Sequence, residues 1–333
     1  MYTDNLKVSL DAAGLVALAE LTTIGDRTAL TGTGALLDTL VLCPSIQRQQ
    51  AATELNGGEY PAVAALTSGY VFRVENPATV AYLQKISLTG HLTTLSVINV
   101  GKKQSVTAQL LSTFYTFENA NLMSSISYLT AASLTIVVLV LFVISADWWG
   151  LFVIFLLMFA RFCNTIIIRR RSRIGWKGAS EPDVQGDLLI LLSQDRWVRM
   201  RGAVDDLKTV TSGQWLHEMT FIEGSVAAFA TLLVYLDAAL ASNLKQSGKV
   251  LLLVLLIVSA GLLAIANVRT DKLQMHGNIV KADGPRKKYG RRRDMADELI
   301  KETGRDDWAI RLGMIVPPLD KPVKSKLEVP ATM

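Results

Sequence analysis

Ser125 to Ala146 reads SISYLTAASLTIVVLVLFVISA, without one charged side chain. A helix needs roughly 20 mostly apolar residues to cross the hydrocarbon core of a bilayer, so this stretch predicts a membrane-spanning helix. After only Asp147, Trp148 and Trp149 comes a second such stretch, Gly150 to Ile168 (GLFVIFLLMFARFCNTIII), and so short a link demands a tight helical hairpin. Phe221 to Ala241 and Val250 to Val268 repeat the arrangement across the polar loop Ser242 to Lys249. Surface helices of soluble proteins carry a single apolar stripe, whereas these four are apolar on all sides. The fold class expected is an all-α transmembrane bundle of two helical hairpins, with a mixed α+β cytosolic region before it.

Composition agrees. Of 333 residues 50% are apolar and only 19% are charged, with 34 Lys and Arg against 29 Asp and Glu for a net charge of +5. The mean hydropathy is +0.32. Soluble domains average about 25% charged residues, so an ordinary cytosolic globule, a disordered chain and a nucleic-acid binder are all disfavoured. Three His and two Cys leave little for a multi-histidine metal enzyme, a zinc ribbon or a disulfide scaffold. No cofactor and no catalytic role are expected. Thr31-Gly32-Thr33-Gly34 has Leu37 where a dinucleotide loop needs its third glycine, and His217-Glu218 lacks the second histidine of a zinc protease helix.

Short loops rich in Lys and Arg stay on the cytosolic side of a membrane. Residues 169–220 carry nine of them (Arg169, Arg170, Arg171, Arg173, Lys177, Arg196, Arg199, Arg201, Lys208) and the tail after Val268 fifteen, against none and two in the hairpin turns. Both termini are therefore expected in the cytosol. The absence of any Asn-x-Ser/Thr sequon fits that orientation, and the first twenty residues lack the basic and apolar regions of a cleaved signal peptide.

Residues 1–123 are long enough for a small mixed domain. Val8 to Leu21 and Ala35 to Leu42 have helical spacing. Tyr70 to Val74, Ile86 to Leu88, Leu92 to Asn99 and Ser105 to Phe117 are rich in strand-forming Thr, Val, Tyr and Phe. The basic loop 169–220 is too small for a core of its own, so Leu188 to Leu192 need a neighbour to bury against. Arg196 to Arg201, around Trp197, suit either a headgroup boundary or a β-hairpin with a basic edge. With Arg169, Arg170, Arg171 and Arg173, Trp197 is assigned to a loop at the membrane surface. In the tail 269–333, Arg286, Lys287, Lys288, Arg291, Arg292 and Arg293 form the densest charge run, and anionic lipid headgroups are its nearest expected partner. A helix is expected from Met295 to Thr303, capped by Asp294, and a flexible proline-rich extension after it.

Ionisable residues inside a span are costly and mark candidate sites. Arg161, Glu223 and Asp237 are the three. The two carboxylates, fourteen residues apart, lie within about 40° of each other on one helix face but about 21 Å apart along its axis. Arg161 is a candidate partner for Glu223. The leading functional expectation is a scaffold or accessory membrane protein that organises protein partners or anionic lipids at the cytosolic face. The alternative is a subunit of an oligomeric transporter or channel that uses Arg161, Glu223 and Asp237.

Overall fold

The computed structural model describes residues 13–49, 51–100, 122–176 and 178–316. In chain order these form a 3-10 turn (Ala13–Leu18), helix α1 (Thr23–Thr31), a second 3-10 turn (Leu36–Leu40), helix α2 (Ala52–Asn56), strands β1 (Ala62–Ala65) and β2 (Val71–Arg73), helix α3 (Pro77–Ile86) and strand β3 (His91–Asn99). Two long helices follow, α4 (Leu122–Ile144) and α5 (Trp148–Arg171), then strands β4 (Gln185–Leu192) and β5 (Arg196–Ala203) with helix α6 (Val204–Thr211). Long helices α7 (Phe221–Leu240) and α8 (Gln246–Arg269) are linked by a 3-10 turn (Ala241–Asn243), and strands β6 (Lys272–Met275), β7 (Asn278–Ala282) and β8 (Lys287–Lys288) lead to helices α9 (Arg292–Thr303) and α10 (Asp307–Arg311).

Helices α4, α5, α7 and α8 are each long and apolar enough to cross a membrane. Their outer faces expose Ile136, Val140, Phe155, Leu232 and Ile257, an apolar surface that soluble monomers rarely present at this extent. The closest packing runs across the expected hairpins, with α4 against α8 and α5 against α7. At the end remote from the sheet, buried Asp147 joins the two connecting turns. It accepts hydrogen bonds from Gly150 N (3.2 Å), capping α5, and from Lys245 N (3.1 Å) at the start of α8. The Lys245 ammonium returns to Ser145 O (2.6 Å) and Ala146 O (3.0 Å).

The chain before α4 divides in two. Its first part belongs to the bundle: the Ala13–Leu18 turn packs against both α7 and α8, and the Leu36–Leu40 turn against both α4 and α5. Ala17, Ile24, Val41, Leu42, Cys43 and Ile46 share one apolar core with the long helices. Non-helical backbone buried in this way needs internal partners. Here Ser45 supplies several, with N–H to Ala17 O (3.3 Å), hydroxyl to Ala19 O (2.8 Å) and its Oγ accepting from Leu21 N (2.7 Å).

The second part joins an eight-stranded sheet of order β2-β1-β4-β5-β3-β7-β6, with β8 paired to the start of β3. Only β3 and β5 run parallel. Side chains alternate across the pleat. Leu188, Ile190, Val198 and Met200 thus meet α1, α3 and α6 on one face, while Leu189, Trp197 and Leu92 meet α9 and α10 on the other. The first face lies toward the bundle, because α1 packs on α8 and Lys85 of α3 reaches the end of α8.

Several local expectations shift. Leu188 to Leu192 finds its neighbour in β1, with Ala62 opposite Leu191 and Ala65 opposite Leu188. Ile86 to Leu88 ends helix α3 instead of forming a strand, since Asn76 caps that helix through Ala78 N and Thr79 N and Pro77 starts it. The two early helical stretches are short 3-10 turns where described. Helix α9 starts at Arg292, which places Asp294 in its first turn, and ends at Gly304 in the left-handed conformation. Ser105 to Phe117, Lys177 and the proline-rich extension lie outside the described residues.

Candidate functional site

Arg161, Asn164, Thr165 and Arg171 recur at helical spacing, which puts them on one face of α5, and all four are buried. The chain between α1 and α2 covers that face. Asn164 Nδ2 donates to Ile46 O (2.7 Å), and Gln49 Nε2 donates to Asn164 Oδ1 (2.7 Å). Arg171 donates through Nη1 to Gln49 Oε1 (3.2 Å) and through Nε to His217 O (2.8 Å). Ten residues deeper, roughly 15 Å along the helix, Arg161 Nε donates to Asp38 O at 3.4 Å.

Asp38 is the hub of this inner part. Its Oδ2 accepts from Ala35 N (2.8 Å), closing the start of the 3-10 turn, and its Oδ1 accepts from the Tyr128 hydroxyl of α4 (2.5 Å). The Arg27 guanidinium lies 4.8 Å above the Tyr128 ring. Arg161 is 3% exposed and lies beyond 4.0 Å of any carboxylate among the described residues. Among the described residues its Nη1 has no hydrogen-bond partner, nor do the buried hydroxyls of Thr39 and Thr165.

The other expected intramembrane groups lie elsewhere. Glu223 pairs with Arg170 (Nε to Oε1, 3.1 Å) rather than with Arg161, and completes a capping box with Thr220 at the start of α7. Thr220 N donates to Glu223 Oε2 at 3.0 Å, and Glu223 N donates to Thr220 Oγ1 at 3.3 Å. Asp237, near the remote end of α7, is 0% exposed, and neither carboxylate oxygen has a partner among the described residues. The structure thus keeps Arg161, Glu223 and Asp237 apart. Arg169 and Arg173 are exposed at the end of α5, as is Arg170 beside Glu223, whereas Arg171 turns inward.

Trp197, expected at a membrane surface, is 2% exposed and lies in the sheet core beneath α9, edge-on to Tyr289 at 6.3 Å. Its strand neighbour Arg199, 6% exposed, is clamped by two carboxylates: Nη2 to Asp187 Oδ2 (2.6 Å) and Nη1 to Glu302 Oε2 (2.6 Å). Arg201 bridges the same pair at 3.3 and 2.8 Å. The hydrogen bond from Arg199 holds the Glu302 carboxyl below its ordinary value. Burial opposes the charge on Arg199, but hydrogen bonds to Asp187 and Glu302 outweigh it and push the guanidinium up.

The basic run of the tail is divided. Lys287 pairs with Glu298 (2.5 Å), Arg292 with Asp195 (2.5 Å) and Arg293 with Asp297 (3.7 Å). Arg286, Lys288 and Arg291 are exposed, with no ion pair among the described residues. At the bundle end of the sheet unit, the Lys85 ammonium donates to Asn267 O (2.6 Å) and Thr270 O (2.5 Å), the last carbonyls of α8. Such a cation suits the negative end of a helix dipole, although burial draws the Lys85 pKa down.

Sequence reasoning missed Asp38, Tyr128, Asn164 and Gln49. The spacing of Arg161, Asn164, Thr165 and Arg171 was the available signal for the α5 side. Nothing local marked Asp38, which lies 123 residues from Arg161. Among the described residues no group of three or more His, Cys, Asp and Glu is placed to hold a metal ion. These features define a chain with four helices fit to cross a membrane, joined to a mixed α/β unit with an eight-stranded sheet. Compared with protein-family models, curated proteins and solved structures, it shows no significant match to any.

Proposed function

We propose that this chain is a multi-pass membrane protein acting as a scaffold, with its sheet unit and both termini in the cytosol and an anionic partner docked on the tail. The observation that carries this reading is the placement of Arg286, Lys288 and Arg291, exposed and without ion pairs among the described residues while their neighbours Lys287, Arg292 and Arg293 are paired with carboxylates. They lie in and around β8 and at the cap of α9, which covers the sheet face away from the layer that meets the helix ends. That position suits an acidic protein surface better than headgroups bordering the bundle, so a protein partner is preferred and anionic lipid comes second.

Purification from native membranes in mild detergent tests the reading. A stoichiometric partner should be retained by the wild-type chain, and lost after joint substitution of Arg286, Lys288 and Arg291 by Gln. It should also be lost on raising the salt, which shortens electrostatic range from about 10 Å at 0.1 M to about 3 Å at 1 M. Unchanged recovery of protein and lipid with the triple variant would reject the docking surface.

A second reading, transport by a homo-oligomer, is favoured by one observation: Asp237 is fully buried in a candidate span with both oxygens unpartnered among the described residues. Intramembrane carboxylates of this kind mark ion or proton routes. Asp237→Asn should then abolish flux in reconstituted vesicles at normal yield and insertion. Unaltered flux, or no flux in the wild type, would remove this reading.

A further inference from the structure

We propose that the seam between α5 and the Leu36–Leu40 turn holds a small inorganic anion of chloride size, bound by the Arg161 guanidinium with the Thr165 hydroxyl. A guanidinium stays protonated in proteins, so Arg161 cannot shed its charge as a buried carboxyl can. It is almost fully buried, with a single long hydrogen bond to Asp38 O (3.4 Å) and no carboxylate within 4.0 Å among the described residues. Leaving a desolvated cation in that state is strongly unfavourable.

The local charge points to an anion rather than to water alone. Asp38 carries one negative charge, and its oxygens are engaged by Tyr128 Oη and Ala35 N. Arg27 above the Tyr128 ring and Arg161 beneath the turn carry two positive charges. One monovalent anion balances the set. The unfilled capacity includes donors: among the described residues Arg161 Nη1 lacks an acceptor, and the Thr165 hydroxyl, one turn along the same helix face, lacks any partner. A lipid phosphate does not suit a guanidinium that is 3% exposed beneath the covering chain segment. A small halide does. This assignment stands apart from the scaffold reading and needs no flux.

The test uses the full chain, purified in mild detergent in sodium gluconate, with chloride then replacing gluconate at constant ionic strength. The chloride NMR linewidth and the thermal midpoint are followed together. The wild-type chain should show saturable line broadening and a midpoint that rises with chloride, as expected for a ligand that binds only the folded state. Arg161→Gln should lose both responses. Thr165→Val, which keeps the shape, should need roughly tenfold more chloride, the effect of one charge-assisted hydrogen bond. If Arg161→Gln does not fold, the wild-type titration and Thr165→Val decide. A linewidth no greater than with empty micelles and equal midpoints in both salts would overturn the site. So would Thr165→Val or Arg161→Gln responding to chloride as the wild type does.

Discussion

Glu302 makes the clearest pH-dependent contact. It accepts from Arg199 and Arg201, and the hydrogen bond from Arg199 draws its pKa below the ordinary 4.5. The folded chain therefore binds this proton less readily than the unfolded one. The resulting stability is fully present above about pH 4.5 and is lost as pH falls through the lowered folded value. Glu302 is 49% exposed, so solvent screening keeps its share to about 1 kcal/mol or less. Glu298, hydrogen-bonded by Lys287, and Asp307, hydrogen-bonded by Arg305, shift in the same direction. On acidification below the ordinary carboxylate range, the amides of α9 should lose hydrogen-exchange protection while those of the long helices keep theirs. Equal protection of α9 at neutral and acidic pH, after correction for intrinsic exchange, would refute this. At this scale the sequence showed which residues are costly, Arg161 and Asp237 among them, because charge in an apolar run is visible locally. It did not show partners: Glu223 is held by Arg170, and Arg161 faces a turn from the far side of the chain.

Elements were legible where their signal repeats. The long helices start and end within a few residues of the apolar runs, β3 follows its strand-forming pattern, and β4 with β5 forms the β-hairpin that was one of the two readings of Arg196 to Arg201. The 3-10 turns were not legible, since apolar spacing over a few residues does not separate a full helix from a tighter, shorter turn. Close approach at the Ala13–Leu18 turn has its own consequence. A Cβ on Gly14 would stand 2.5 Å from Ala241 Cβ and 2.7 Å from Ala238 O, so the turn can sit against the end of α7 only with glycine there. Gly14→Val should destabilise the detergent-solubilised chain by about 1–3 kcal/mol through overpacking. Gly224→Ala, where nothing lies within 4 Å, is the matched control and should leave the thermal midpoint unchanged or slightly raised. An unchanged midpoint for Gly14→Val would show that the turn does not wedge between α7 and α8.

In the molecule as a whole, the sheet draws strands from before α4, from between α5 and α7, and from after α8. Its inner strand β3 takes a parallel partner from the basic loop and antiparallel partners from the tail. Neither the loop nor the described part of the tail is therefore a free appendage: Trp197 is packed in the sheet core, and Lys287, Arg292 and Arg293 make ion pairs. The sequence alone determined four apolar helices, because the length and hydrophobicity needed to cross a membrane are sums over consecutive residues. Only the tertiary structure decided that the first described turns lie within the bundle, that α4 packs on α8, that three separate segments share one sheet, and which charges keep no partner. Those outcomes depend on which distant groups can satisfy each other's hydrogen bonds and charge once buried, and no run of neighbouring residues records that choice.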